Sequence, residues 1–222
     1  MSAGRRLMFV VNNPAFFMSH RVPVALAAQR AGYDVHVATM DGPAVADIQA
    51  LGMTHHAIPM TRSGKHPLQE LGTLLALVRL FRRVRPDVVH LVTIKPVLYG
   101  GIAARLARVR GMVAAISGLG FVFLSNSLKM RLVRSVVARL YRIALGHPNS
   151  RVIFQNANDR DLLKSLGAVR DAQVVMIRGA GVDLDAYRAL PEPPAPPVVV
   201  TMVARLLRDK GVQEFVQAAG PV

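Results

Sequence analysis

The residues best placed to do chemistry lie near the end of the chain, where residues 198–211 read VVVTMVARLLRDKG. An apolar run ends at Ala204-Arg205, and Lys210-Gly211 opens the next helical stretch. Arg205 and Lys210 therefore flank the carboxyl end of an expected buried strand, the position at which open α/β sheets bind ligands. Two cations there suit a diphosphate leaving group, because they stabilise charge that grows as a sugar–phosphate bond breaks. A second candidate is Ser19-His20-Arg21, after the first expected strand. With Ser19 capping a helix from His20, both His20 and Arg21 stand at a helix N-terminus and can hold a phosphate or a sugar hydroxyl.

Other chemistries are excluded or left without support. The turn after the first strand is NNPAF at residues 12–16, not a G-x-G-x-x-G fingerprint, and Ser63-Gly64-Lys65 is followed by His66 rather than Ser or Thr. A dinucleotide dehydrogenase and a P-loop NTPase are both disfavoured. The chain has no cysteine, so thiolate metal sites and disulfides are excluded. Its seven histidines lack metal-site spacing. His55 and His56 are adjacent on an expected strand and point to opposite faces. The remaining histidines read as surface or satisfied structural residues.

The elements that must position these residues alternate in type. Strands are expected at 7–11, 34–39, 54–58, 87–93, 112–116, 151–155 and 173–177. Helices are expected at 20–30, between Asp41 and Gly52, from Pro67 to before Pro86, and at 96–108 and 128–145. A further helix starts at the capping-box-like Asn158-Asp159-Arg160-Asp161 and ends at Gly167. Short apolar strands separated by helices imply a parallel sheet covered on both faces, a Rossmann-like doubly wound α/β domain. Five prolines between 190 and 197 form a stiff linker. A strand at 198–203 and a helix from Val212 then begin a second domain. The expected organisation is an N-terminal domain at 1–189, a linker at 190–197 and a truncated domain start at 198–222.

Composition bounds the function. The chain is 52% hydrophobic and 18% charged, which is globular rather than disordered. The net charge is +15, and residues 79–142 hold thirteen Lys or Arg against one acid, Asp87. Such a patch attracts polyanions. Nucleic acid is disfavoured as the partner, because aromatic residues are 5%, Trp is absent and no helix-turn-helix or RNA-binding signature appears. Arg79, Arg82 and Arg83 share a helix with Leu74, Leu75, Leu77, Val78 and Phe81, and Lys129, Arg131 and Arg134 lie on a second helix of the same style. Basic amphipathic helices can lie on anionic membrane. The apolar run at 7–11 is too short for a signal peptide, and no run can span a bilayer. A cytoplasmic protein, peripheral at the inner face of the membrane, is expected.

Four stretches together carry a family resemblance: Ser19-His20-Arg21-Val22-Pro23; Pro86-Asp87-Val88-Val89-His90; residues 175–183, VMIRGAGVD; and Val203-Ala204-Arg205 with Lys210-Gly211. The chain resembles retaining GT-B glycosyltransferases of family 4, especially those that build bacterial capsules, O-antigens and lipid-linked oligosaccharides. The resemblance implies a nucleotide-sugar donor, usually a UDP-sugar, with Arg205 and Lys210 on its diphosphate. It also implies an acceptor held by the N-terminal domain, transfer with retention, and no metal or other cofactor. The glycines of 179–183 would permit a turn, with Asp183 as a cap. Where many members carry a His facing the donor sugar, this chain has Ser117 followed by Gly118-Leu119-Gly120. Ser117, Gly118 and Gly120 are thus acceptor-side candidates beside His20 and Arg21. The paired-glutamate motif that grips the donor is absent from the 222 residues. The expectation is a fragment that is inactive alone. The alternatives are a non-catalytic module binding an acceptor or a membrane surface, or half of a split enzyme that pairs with a separate C-terminal chain.

Overall fold

A computed structural model describes residues 4–60, 67–119, 128–179, 181–192, 194, 196, 198–204 and 206–220; the side chains of residues 128–134 and of residue 209 are outside that description. The candidates Gly120 and Arg205, and the side chains of Lys129, Arg131 and Arg134, fall outside it. The chain divides into two compact units, Met1–Gly181 and Val182–Val222, a division earlier than the expected boundary at 189.

The first unit is a seven-stranded sheet in the order β3-β2-β1-β4-β5-β6-β7. The strands are β1 Arg6–Val11, β2 Asp34–Thr39, β3 Thr54–Ala57, β4 Val88–Val92, β5 Gly111–Ile116, β6 Ser150–Phe154 and β7 Val174–Met176. Every pairing is parallel. Parallel strands need crossovers, and helices supply them. On one face lie α1 Pro14–His20, α2 Val22–Arg30 and α3 Val45–Ala50. Their core is Phe9, Val11, Phe17, Ala25, Val37 and Ile48, all fully buried. On the other face lie α4 Pro67–Val84, a π-helical turn at Pro96–Gly100, α5 Gly101–Leu106 and α6 Leu128–Leu145. That core includes Met8, Leu77, Phe81, Leu91, Tyr141 and Phe154. The doubly wound α/β expectation holds, and its physical cause is the continuous apolar content of strands buried on both faces.

Local differences from the sequence reading have identifiable causes. The first helix begins at Pro14, not His20. Asn13 caps it, its Oδ1 accepting from the N–H groups of Ala15 at 2.8 Å and Phe16 at 3.4 Å. Pro14 takes the first turn, where a missing N–H costs nothing. Ser19 is no cap: its Oγ bonds back to the carbonyl of Ala15 at 2.9 Å. The helix breaks at Arg21 (φ −126°, ψ −11°) because Pro23, just beyond, has no N–H to continue the ladder. Similarly, helix α7 Ala157–Ser165 is capped by Asn156, which accepts from the N–H of Asp159 at 2.8 Å. The expected cap at Asn158 lies inside the helix.

The second unit, taken by itself, has a 3₁₀ turn at Arg208–Lys210 and helix α8 Val212–Ala218. The expected strand at 198–203 does not form: Val198, Val199, Val200 and Val203 are 70–95% exposed. Apolar β-branched composition favours a strand, but a strand needs a neighbour to complete its hydrogen bonds, and none pairs with it among the described residues. Asp183 accepts at Oδ1 from the N–H groups of Asp185 at 2.9 Å and Ala186 at 3.3 Å, so it caps a turn as expected.

Candidate functional site

The order of the strands reverses between β1 and β4, so the topological switch point lies at their carboxyl ends. Around that edge of the first unit a cleft of about 250 Å³ is lined by residues including His20, Arg21, His90, Ile116, Gln155 and Gly179. His20 and Arg21 arrive from the α1–α2 break, His90 from within β4, Ile116 from the end of β5, and Gln155 just after β6. Of the acceptor-side candidates, the structure therefore brings His20 and Arg21 together. It leaves Ser117, exposed beyond the end of β5, and Gly118 outside the lining.

Two groups in the lining lack partners. Arg21 Nε and His90 Nε2 are buried, and neither has a hydrogen bond. Other histidines are satisfied: His147 Nε2 donates to the Val109 carbonyl at 2.9 Å, His55 Nε2 meets Thr39 Oγ1 at 2.9 Å, and His36 Nδ1 lies 3.0 Å from His56 Nε2. His20 stacks on Phe16 with ring centroids 4.1 Å apart, and its Nδ1 lies 2.6 Å from Ser19 Oγ, which orients the ring.

His90 is only 8% exposed and stacks on Phe9, with centroids 5.1 Å apart. Burial pushes its pKa down to about 3, and the nearby Arg21 charge adds to the shift. It is therefore a neutral imidazole at neutral pH. Burial also lowers the pKa of Arg21, whose guanidinium faces no carboxylate in the cleft lining. A buried unpaired polar group costs about 1–3 kcal/mol, more if charged. A cation with a neutral donor or acceptor beside it, both unsatisfied, fits an anionic ligand bearing oxygen, such as a phosphate.

The depressed pKa of His90 sets a pH dependence. The unfolded chain takes up the proton near pH 6.5 and the folded protein near pH 3, so this contribution to stability is present above pH 6.5 and lost as pH falls between those values. Its slope is about 1.4 kcal/mol per pH unit. His56, pushed down to about 4 by burial and then by His36, adds to the same slope. In the His90→Phe variant the urea-derived stability should fall less steeply from pH 6.5 to 4; an unchanged slope would show that His90 is not buried as a neutral ring.

One further residue at this edge escaped the sequence reading. Thr93, directly after β4, has φ +75°, and its buried Oγ1 has no partner. A β-branched residue in the left-handed region is a true outlier, and such strain gathers at functional positions. No sequence signal reveals it. His90 was visible as the polar break in the apolar strand VVHLV, but nothing in that spacing says it lacks a partner.

In the second unit Lys210 is exposed at the end of its 3₁₀ turn, and Gly211 follows at φ +73°. The basic candidates Arg79, Arg82 and Arg83 on α4 are exposed. Leu68, Leu71 and Leu75, exposed by 83%, 50% and 44%, continue the Arg79–Arg82 stripe toward the start of α4 at helical spacing. No helix among the described residues is long and apolar enough to cross a membrane.

Comparison with known proteins is consistent with these features. Over 228 aligned positions the chain is 23% identical to the N,N'-diacetylbacillosaminyl-diphospho-undecaprenol alpha-1,3-N-acetylgalactosaminyltransferase of Campylobacter jejuni, covering 96% of this chain and 60% of that protein. Among solved structures it is similar to a glycosyltransferase of Rickettsia africae, with TM-score 0.60 and 15% identity over 83% of this chain and 45% of the other. The Anabaena protein HepE, solved with UDP and glucose, gives TM-score 0.57 and 16% identity over 96% of this chain and 50% of the other. The chain thus spans about half to three-fifths of the length of these relatives. The structural likenesses establish a GT-B type Rossmann-like domain. The glycosyl transferase 4-like family model matches residues 6–156, most of the first unit, and the chain belongs to that family.

Proposed function

We propose that this chain is the acceptor-side part of a glycosyltransferase that moves a sugar from a nucleotide-sugar, UDP-linked, to an acceptor carried on a polyprenyl phosphate or diphosphate. The observation that carries this reading is the pair of buried, partnerless groups Arg21 Nε and His90 Nε2 in one cleft at the carboxyl edge of the sheet. An acceptor phosphate supplies what both lack. The Campylobacter jejuni relative supports the class, since its name specifies a diphospho-undecaprenol acceptor, and the Anabaena protein was solved with UDP and glucose. In the reaction we propose, the acceptor hydroxyl attacks on the face from which the diphosphate departs, and configuration is retained. Arg205 and Lys210 stabilise the leaving group without a metal.

The chain alone is proposed not to turn over. In support, the second unit has no sheet among its described residues, and Lys210 is exposed. The exposed leucine–arginine stripe of α4 supports docking on an anionic membrane, where such an acceptor resides.

One experiment tests the whole reading. A prenyl-diphosphate-linked sugar is presented in phosphatidylglycerol vesicles at low salt, and UDP-sugars are added. The chain should sediment with the vesicles, and more so with the acceptor present, yet form no product. Failure to sediment sinks the membrane part, indifference to the acceptor sinks the acceptor site, and product formation sinks the inactivity.

A further inference from the structure

At the opposite, amino-terminal edge of the sheet lies a second and larger cleft. Its volume is about 510 Å³, and its lining carries Arg82, Arg85, Arg108 and Arg110 against one carboxylate, Asp87. Asp87 is already committed. Its Oδ2 accepts from the N–H of Arg6 at 2.9 Å and its Oδ1 from Arg110 Nη1 at 3.0 Å. Among the described residues, Arg82 reaches the Leu106 carbonyl alone, at 3.4 Å. Among the described residues, Arg85 and Arg108 have no side-chain partner.

The helix ends explain part of this charge. The carboxyl ends of α4 and α5 both open onto the cleft, and each carries roughly half a negative charge. Together they offset about one of the three positive charges left after Asp87 is counted.

The backbone is not explained that way. Arg85 and Arg108 each follow the last turn of a helix with φ +52° and +56°. The N–H of Arg85 bonds the Phe81 carbonyl at 2.8 Å, and that of Val109 bonds the Ala104 carbonyl at 2.9 Å. These are helix-closing positions that favour glycine, because a Cβ is strained there. Two arginines occupy them, and both line the same cavity.

We propose that this cleft binds a phosphate-bearing ligand through Arg85 and Arg108, with Arg82 and Arg110 completing the positive wall. The site is separate from the carboxyl-edge cleft and does not depend on the transferase reading. A phosphate accepts several charge-assisted bonds in guanidinium fork geometry. The ligand source is either a soluble phosphate compound or an anionic lipid headgroup.

The Arg85→Gly/Arg108→Gly double variant provides the test. Glycine relieves the left-handed strain while adding chain entropy, so the melting temperature should stay near that of the wild type. Inorganic pyrophosphate is the probe, followed by calorimetry and by its shift of the melting temperature. The wild type should bind, and the double variant should bind about tenfold or more weakly. Binding that persists unchanged in the variant, or no binding to the wild type, overturns the proposal. Phosphatidylglycerol vesicles identify the source. Displacement of pyrophosphate assigns the site to a headgroup, and vesicle binding that leaves pyrophosphate in place assigns it to a soluble phosphate.

Discussion

Replacing Arg21 with alanine should weaken binding of a short-chain prenyl-diphosphate-linked sugar by about 10- to 100-fold, the equivalent of about 1.5–3 kcal/mol for a hydrogen bond to a charged group. The same change should leave the melting temperature unchanged or raise it. Both effects follow from one fact. In the free protein the Arg21 guanidinium is partly desolvated, with its Nε buried and unpartnered, so it costs stability until an anion arrives. A residue of purely structural importance behaves in the opposite way, losing stability on truncation with little effect on affinity. Arg21→Lys should fall between wild type and alanine, since it restores the charge without the planar fork. Calorimetric titration and thermal melts on the same three proteins decide the matter. A lowered melting temperature with unchanged affinity would refute the site.

The largest effect on stability is expected at Gly101, the first residue of α5. A Cβ there would lie 2.7 Å from the backbone oxygen of Ala144 and 2.9 Å from its Cβ on α6. A backbone atom cannot rotate away, so α5 must shift off α6, and overpacking of this kind costs about 1–3 kcal/mol. Gly101→Ala should lower the urea midpoint accordingly. Ala144→Gly should rescue only part of the loss, because the carbonyl oxygen remains. The neighbouring Gly100 is a control. Its nearest atom, at 2.7 Å, is Leu91 Cδ2, the end of a side chain that can move, so Gly100→Ala should cost less. Equal losses at the two glycines would count against the close α5–α6 approach.

What could be read in advance divides along physical lines. β1, β2, β4 and β5 were legible because a strand buried on both faces must be largely apolar, whatever its neighbours. The helix at Pro14–His20 was not, because Asn12-Asn13-Pro14 is equally good as a turn and as a cap; the bonds from Ala15 and Phe16 to Asn13 decide for the cap. The run at 198–203 shows the converse. Its composition satisfies every local rule for a strand, yet pairing is a property of two segments, and no second one is present among the described residues. In the cleft, Arg21 could be anticipated from its place after the first strand. His90 could not, since its importance lies in a missing bond, and a missing bond depends on everything packed around it. Thr93 is more extreme still, because a positive φ on a threonine contradicts local preference.

The strand order has a consequence in time. β1 is central, flanked by β2 on one side and β4 on the other, with Val11 in register with Val92. During synthesis its first neighbour, β2, follows within a few dozen residues, but its second cannot pair until residue 92 has been added. At roughly 5–20 residues per second, the open edge of β1 waits about 4–16 s. Once β2 has been made, and until residue 92 is added, the nascent chain presents one half-paired, predominantly apolar strand. An internal strand, the last place a finished sheet can be invaded, is here the first place a growing one can be.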